Sequence, residues 1–256
     1  MIPSSQFAYS QARLHARHGE RPVEQVWRQL ETQQELANFL QSARRTSLRP
    51  WVLGMHFDDN WHQLEQSLLQ QFHHYIEHLA GIQPSAWRAA VQWTGQLLYL
   101  PSLLYLLSGN TAPGWMTQDT YLKDFISSEM DLRMLAMQES DSAPLIAAWQ
   151  EKIPLLQGWI QHWRSLWPGH RASTSAPLKQ LIALLQGHLE AFGSKQHRSW
   201  QERELLERQL IILFRRYSQQ PAGVFIHLAL LALDIERLRG NIMQRALFPE
   251  LRGEQS

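Results

Sequence analysis

The chain has 256 residues, of which 44% are hydrophobic and 18% are charged, and its formal net charge is +1. This balance excludes an intrinsically disordered chain, and no basic stripe of the kind that binds nucleic acid is present. Because the sequence contains no cysteine, it excludes disulfides, thiolate metal sites and a cysteine nucleophile.

The N-terminal region predicts short helices separated by glycine and proline. A helix over 7–18 ends at Gly19, since glycine commonly follows the last turn of a helix. Thr32, followed by Glu35 three residues later, predicts a capping box at the start of another helix.

A long amphipathic helix follows over 61–80. Asp59 or Asn60 can cap its first turn, because a short polar side chain accepts a hydrogen bond from a free backbone N–H. Ser85 then predicts the start of the next helical stretch, which we expect to kink at Pro101.

Two helices and a linker are predicted in the central region. Apolar residues at near-helical spacing predict a helix over 117–137, with Glu129 and Arg133 four residues apart and able to pair. A helix over 147–167 carries tryptophans, the last three of which form one stripe that indicates core packing. The small polar residues of 170–177 predict a linker.

The C-terminal region predicts helices over 178–192, 199–217 and 222–247. The beginning of the last helix is apolar on all sides, which indicates central burial. No stretch alternates apolar and polar residues for long enough to require a sheet, so the predicted fold class is all-α.

One string resembles a zinc-peptidase motif. His74, Glu77 and His78 fit H-x-x-E-H, in which two histidines one helical turn apart hold zinc and the glutamate activates water. A third ligand would be required, and Glu151 or Glu190 could supply it only by assumption. We therefore keep a zinc metallopeptidase as an alternative and predict a chain without catalytic residues, metal or cofactor.

A helical pattern recurs along the chain, with an acidic or polar residue followed by leucines. The copies lie at 99–103, 131–135 and 234–238. Repeated helical units are typical of a scaffold built from one duplicated block.

Taken in order, these features resemble the d-subunit family of V-type rotary ATPases, which includes the archaeal A-type counterparts. Segment 7–14 (FAYSQARL) is similar to the family's opening Tyr-x-x-Ala-Arg helix, and segment 40–52 (LQSARRTSLRPWV) to its L-x-x-T-x-Y segment. Segment 64–68 (LEQSL) is similar to the I-E-x-x-L helix that follows. The repeats approximate a module signature of an acid, a hydrophobe, any residue, Asn and Leu, with the Asn replaced here by Ser102, Met134 and Arg237.

The resemblance implies three diverged helical-bundle modules that form a funnel, with boundaries near 1–84, 85–170 and 171–256. It implies a non-catalytic coupling protein that links the membrane rotor ring to the central stalk of a proton- or sodium-translocating ATPase. Such a protein is cytoplasmic and peripheral to the membrane through its partner proteins. The apolar stretches are also shorter than the roughly 20 residues that cross a bilayer. An adaptor of another membrane-associated machine, such as a secretion apparatus, is the alternative use of the same scaffold.

Charged residues of the repeated helices are the predicted contact surface for these partners. They are Asp131, Arg133, Asp234, Glu236, Arg237 and Arg239. The alternative for the last four is ordinary pairing within the helix, of Asp234 with Arg237 and of Glu236 with Arg239.

Overall fold

The computed structural model describes residues 4–169, 172–194 and 199–247, and in these ranges every regular element is a helix. The predicted all-α class is confirmed. The α-helices are α1 Ser4–Gly19, α2 Glu24–Glu31, α3 Leu36–Ala43, α4 Arg49–Val52, α5 Trp61–Ile82, α6 Ser85–Gln92, α7 Leu100–Leu107, α8 Met130–Gln138, α9 Ala143–Gln150, α10 Leu155–Ser165, α11 Ala172–Ser194, α12 Ser199–Tyr217 and α13 Ala222–Leu247. Short 3-10 helices lie at Trp93–Leu98, Gly114–Thr117 and Lys123–Phe125.

The helices form two compact units. The first unit comprises the described residues of Met1–His78, Ile82–Pro84 and Gly169–Ser256, and the second comprises Leu79–Gly81 and Ser85–Pro168. The second unit has nearly the bounds predicted for the central module, whereas the segments predicted as the outer modules share the first unit. The division into three modules, and the funnel, stay predictions.

Helix α13 provides the centre of the first unit. Its predicted start near 222 and the burial of its beginning are both confirmed, and it is helical to residue 247, the last that the structure describes there. The apolar side chains buried there are Val224, Phe225, Ile226, Leu228, Leu230 and Leu231. In this unit α13 contacts α12, α11, α1 and α3. Each large apolar side chain that is fully buried contributes about 1.5–3 kcal/mol, so this segment anchors the unit.

Capping was predicted correctly at α5 and wrongly at α3. Before α5, Asn60 Oδ1 accepts a hydrogen bond from the Gln63 backbone N–H at 3.0 Å, and Gln63 Oε1 accepts one from the Asn60 N–H at 2.9 Å. Thr32 instead closes α2, where its hydroxyl donates to the Gln29 carbonyl at 2.8 Å. Glu35 precedes α3 and makes no capping hydrogen bond with its side chain.

The helix predicted over 117–137 is wrong for its first half, since only α8 is α-helical there. The buried Asp119 accepts hydrogen bonds from the backbone N–H groups of Tyr121 and Leu122, both at 2.9 Å. A short acidic side chain that bonds nearby N–H groups competes with helix formation. The chain therefore turns through short 3-10 segments before α8 begins.

The tryptophan-rich segment 147–167 contains two helices instead of one. Lys152 has a positive φ of 61°, which ends α9, and Pro154 immediately precedes α10. A proline cannot donate the backbone hydrogen bond that a continuous helix would need. At Pro101 a new helix begins where we expected a kink, because Pro101 lies in the first turn of α7.

The predicted tryptophan stripe is confirmed as core packing in the second unit. The rings of Trp159 and Trp163 stack at 5.3 Å, and Trp167 meets Trp163 edge-on at 5.1 Å. Trp93 and Trp159 each donate an indole N–H to the other's backbone carbonyl, at 3.2 and 3.1 Å. These bonds satisfy two buried donors while the rings remain in the core.

The linker predicted over 170–177 is wrong for the part that the structure describes. Residues 170 and 171 lie outside the described residues, and those that follow belong to α11, which contains Pro177. Of the helices in the described ranges, none has the length and apolar character needed to cross a membrane.

Candidate functional site

Helix α13 changes character halfway along its length. After its apolar beginning it carries the predicted contact residues Asp234, Glu236, Arg237 and Arg239. Successive residues of a helix are rotated by about 100°, so these side chains project in different directions. Each of them reaches a different part of the first unit.

Asp234 forms the most buried of these contacts. Arg21, in the loop between α1 and α2, donates from Nε to Asp234 Oδ2 at 2.6 Å and from Nη2 to Asp234 Oδ1 at 3.0 Å. Arg21 Nη2 also donates to Glu207 Oε1 of α12 at 3.0 Å. This network joins the α1–α2 loop to α12 and α13. Its carboxylate lies away from water, since Asp234 is only 5% exposed.

The network has a high electrostatic cost. Burial raises the pKa of the Asp234 carboxyl to about 6, although the Arg21 guanidinium opposes that rise. Burial also disfavours the charge on Arg21, but its hydrogen bonds with Asp234 and Glu207 outweigh burial and raise the pKa of Arg21. Each charge therefore depends on its partner, and removing either one leaves the other buried alone.

Arg237 is held by α2. Its Nε donates to Glu31 Oε1 at 3.0 Å, and its Nη1 donates to Glu24 Oε2 at 2.7 Å. The guanidinium lies 4.9 Å from the ring centroid of Trp27, in position for a cation–π contact. The hydrogen bond from Arg237 is the main cause that lowers the pKa of Glu24.

The two remaining predicted contact residues of α13 bond other helices. Arg239 Nε donates to Glu65 Oε1 of α5 at 2.7 Å. Glu236 Oε2 lies 3.4 Å from Arg203 Nη2 of α12. Both contacts lie nearer to solvent than the Arg21–Asp234 pair, so each contributes less to stability.

The pairing predicted within α13 is therefore wrong. Asp234 does not pair with Arg237, nor Glu236 with Arg239, since each has a partner on another element. A pair within one helix contributes only a few tenths of a kcal/mol. Tertiary packing easily outweighs so small a preference.

A cavity of about 670 Å³ lies beside these ion pairs, with walls from α1, α2, α12, α13 and the α1–α2 loop. We call it the charged groove, lined among others by Arg21, Glu24, Arg203, Glu207, Asp234 and Arg237. A smaller cavity of about 380 Å³ shares Arg203 and Arg237 with it. Trp27 and Leu233 add apolar surface to the groove. A polar partner that entered this groove would meet hydrogen-bond donors and acceptors already held in position.

The predicted contact residues of the second unit have different environments. Asp131 is exposed on α8, whereas Arg133 is only 4% exposed. Arg133 donates to backbone carbonyls, at 2.6 Å to Ser127 and at 3.1 Å to Asn110, and it also bonds the Leu106 carbonyl. These carbonyls take the place of the expected pair with Glu129. A contact role for Arg133 stays a prediction.

The H-x-x-E-H residues share α5 but do not gather a metal site. His74 and His78 are exposed, and Glu77 is half-buried. Among the residues that the structure describes, no group of three or more histidine, cysteine, aspartate or glutamate side chains is arranged to hold a metal ion. The side chain of Glu190, one suggested third ligand, lies outside them.

The first unit also contains a group that we call the histidine cluster: His18, Tyr75, Phe214 and His227. His18 of α1 stacks on Phe214 of α12, with ring centroids 3.8 Å apart, and its ring lies 5.8 Å from that of His227. His227 Nε2 lies 2.7 Å from the Tyr75 hydroxyl of α5. His227 is 0% exposed, near the beginning of α13.

Both imidazoles of the cluster are held in the neutral form. Burial, followed by repulsion from His18 once it is protonated, lowers the pKa of His227 to about 3. Burial and the nearby Arg21 lower the pKa of His18 to about 4. At neutral pH the cluster is therefore an uncharged aromatic contact between α1, α5, α12 and α13.

Sequence reasoning missed most partners in the site. Arg21 and Asp234 are 213 residues apart, and no local pattern links charges at that distance. His227 did carry a signal, because it is a single titratable residue within the apolar run 224–233. A polar residue in such a run is buried with its helix and requires a partner.

No family model matches this chain, and no curated protein or solved structure is significantly similar to it. The resemblance to the rotary ATPase family therefore stays a prediction that rests on short sequence segments.

Proposed function

We propose that this chain is a non-catalytic helical scaffold that binds protein partners through the charged groove. The observation that carries the proposal is that ion pairs connect α13 to the α1–α2 loop, α2, α5 and α12. Side chains already fixed by such pairs lose little further entropy when a partner binds. Stiffness combined with a polar surface suits a part that transmits force between its neighbours.

Two exposed arginines give the groove its capacity to bind. Arg28 and Arg208 line it with side chains that are 77% and 69% exposed. Each pairs with a glutamate on its own helix, Glu24 or Glu204, and an exposed pair of this type contributes only about 0.3–0.5 kcal/mol. Carboxylates of a partner can therefore replace these glutamates at little cost.

In its specific form, the proposal is a coupling protein between the membrane rotor ring and the central stalk of a V/A-type rotary ATPase. It is supported by the similarity of segments 7–14, 40–52 and 64–68 to that family, and by the repeat at 234–238 that lines the groove. In this role the chain is peripheral to the membrane through its partners, and bond-making belongs to other proteins of the complex.

Both the general scaffold proposal and its specific form can be tested by affinity purification. The tagged chain is purified from its native membranes, and the retained proteins are identified. We expect rotor-ring and central-stalk proteins with the wild type and much less of them with the double variant Arg28→Glu/Arg208→Glu. Arg45→Glu, an exposed arginine of the same unit that does not line the groove, is the matched control. Recovery of components of a secretion apparatus would replace the specific form with the adaptor alternative. Undiminished recovery with the double variant would exclude the groove as the binding surface.

A further inference from the structure

We propose that His18 and His227 form an acid-operated latch, which holds α1 against α12 and α13 and releases it when either imidazole takes up a proton. This proposal is independent of the partner that the scaffold binds. It concerns an internal contact of the first unit, and its test requires no partner protein.

The geometry offers no acceptor at the Nδ1 atom of either imidazole. The Nδ1 atoms of His18 and His227 are buried, and in the described part of the chain neither has a hydrogen-bond partner. Nε2 of His227 is already used by the Tyr75 hydroxyl. A buried N–H without an acceptor costs about 1–3 kcal/mol, and a buried charge costs more. Protonation therefore favours any state that exposes the ring to water.

The surrounding charges strengthen this effect. The groups that face the two imidazoles are cationic or neutral: His15, Arg17 and Arg21 from α1 and its loop, Arg215 from α12 and Tyr75 from α5. The carboxylate of Asp234 on α13 is already bonded to Arg21. Among the described residues, the acid whose charge affects the cluster is Glu20, and it raises the pKa of Tyr75. An imidazolium at this site would be repelled by the arginines.

Two of these repulsions act between α1 and its neighbours: His227 of α13 faces Arg17 of α1, and His18 of α1 faces Arg215 of α12. Helix α1 is therefore the element that protonation can detach. Among its described side chains, those buried are Ser10, Gln11 and Leu14, of which only Leu14 is large and apolar. An element with so little buried apolar surface can open without unfolding of the whole unit. Because His18 and Gly19 of α1 line the charged groove, release of α1 would also widen that groove.

The absence of native cysteine makes a thiol probe possible in the full chain. Ser10→Cys places a thiol at a position that is 0% exposed, and its reaction with a pyridyl disulfide reagent reports opening of α1. Ser108→Cys, at an exposed position, corrects for the pH dependence of the reaction itself. Ser142→Cys, also 0% exposed but in the second unit, reports any general opening of the chain.

We expect the labelling rate of Ser10→Cys, relative to Ser108→Cys, to rise on the order of 10-fold or more between about pH 7 and about pH 5. The rate of Ser142→Cys, corrected in the same way, should stay constant. Added to Ser10→Cys, His18→Gln or His227→Gln should reduce the rise, and the exposed His56→Gln should leave it unchanged.

A constant ratio would overturn the latch. So would an equal rise for Ser142→Cys, because that would report unfolding of the whole chain. An undiminished rise in both histidine variants would assign the effect to other groups. If His227→Gln does not fold, the half-exposed His18→Gln decides the question by itself.

Discussion

Arg21 holds the carboxylate of Asp234 in a two-point ion pair, with Nε 2.6 Å from Oδ2 and Nη2 3.0 Å from Oδ1. The pair joins the loop after α1 to the last helix across 213 residues of sequence. It is also the innermost ion pair of α13, so removing one of its partners should cost more stability than breaking any other ion pair of that helix.

We expect Asp234→Asn to lower the free energy of unfolding by about 3 kcal/mol, because it leaves the buried Arg21 without a full counter-charge. Urea unfolding at neutral pH measures the loss. Asp58→Asn removes an exposed carboxylate from the same unit and should change stability by less than about 0.5 kcal/mol. A loss as small as this control's would show that Arg21 is satisfied without Asp234.

His227 should make the protein less stable in acid. Its pKa is about 3 in the folded chain and about 6.5 when unfolded, so the unfolded state takes up the proton first as the pH falls. Stability contributed by the neutral imidazole is therefore complete above about pH 6.5 and is lost progressively towards about pH 3. At about pH 4.5 we expect the loss from this group to reach roughly 2–3 kcal/mol.

Urea unfolding of the wild type and of His227→Gln across this range checks the sign. The variant should have the shallower dependence on pH, whatever its stability at neutral pH. Asp234 acts in the opposite direction between about pH 4 and about pH 6, because its pKa is raised in the folded chain, but it does so equally in both proteins. Equal slopes would show that His227 does not titrate as its burial requires.

Gly158 should resist replacement by alanine despite lying inside α10. A Cβ at this position would overlap the Cβ of Ala148 on α9. We expect Gly158→Ala to cost about 1–3 kcal/mol by overpacking, although alanine favours a helix by about 1 kcal/mol. Ala148→Gly in the same chain should restore much of the loss, which thermal unfolding would reveal. Gly187→Ala, on an open face of α11, should be neutral or stabilising.

Arg133→Lys should destabilise the second unit by about 2 kcal/mol, because one ammonium cannot reach the carbonyls that the planar guanidinium bridges. Hydrogen exchange in segment 108–129 should rise together with the loss of thermal stability. Arg164→Lys, an exposed change in the same unit, should alter neither quantity. Unchanged exchange in Arg133→Lys would show that the segment holds its shape without these bonds.

Local interactions explain which elements could be predicted. The helices predicted over 199–217 and about 222–247 agree with α12 and α13 within the described residues, and Asn60 was correctly expected among the caps of α5. Periodicity and capping act within a few residues, so they can be read from neighbours in the chain. The helix expected over 117–137 failed because Asp119 bonds the backbone locally instead.

The sequence alone determined that the protein is all-α, that its last helix is buried at the beginning and that this helix then becomes charged. Only the tertiary structure decided what those charges bond, since Asp234 pairs with Arg21 and Arg237 pairs with Glu24 and Glu31. The physical reason is one of scale. A pair within a helix contributes a few tenths of a kcal/mol, whereas a charge in a desolvated site gains or loses several kcal/mol with its partner. Which distant side chain becomes that partner follows from the packing of the whole unit.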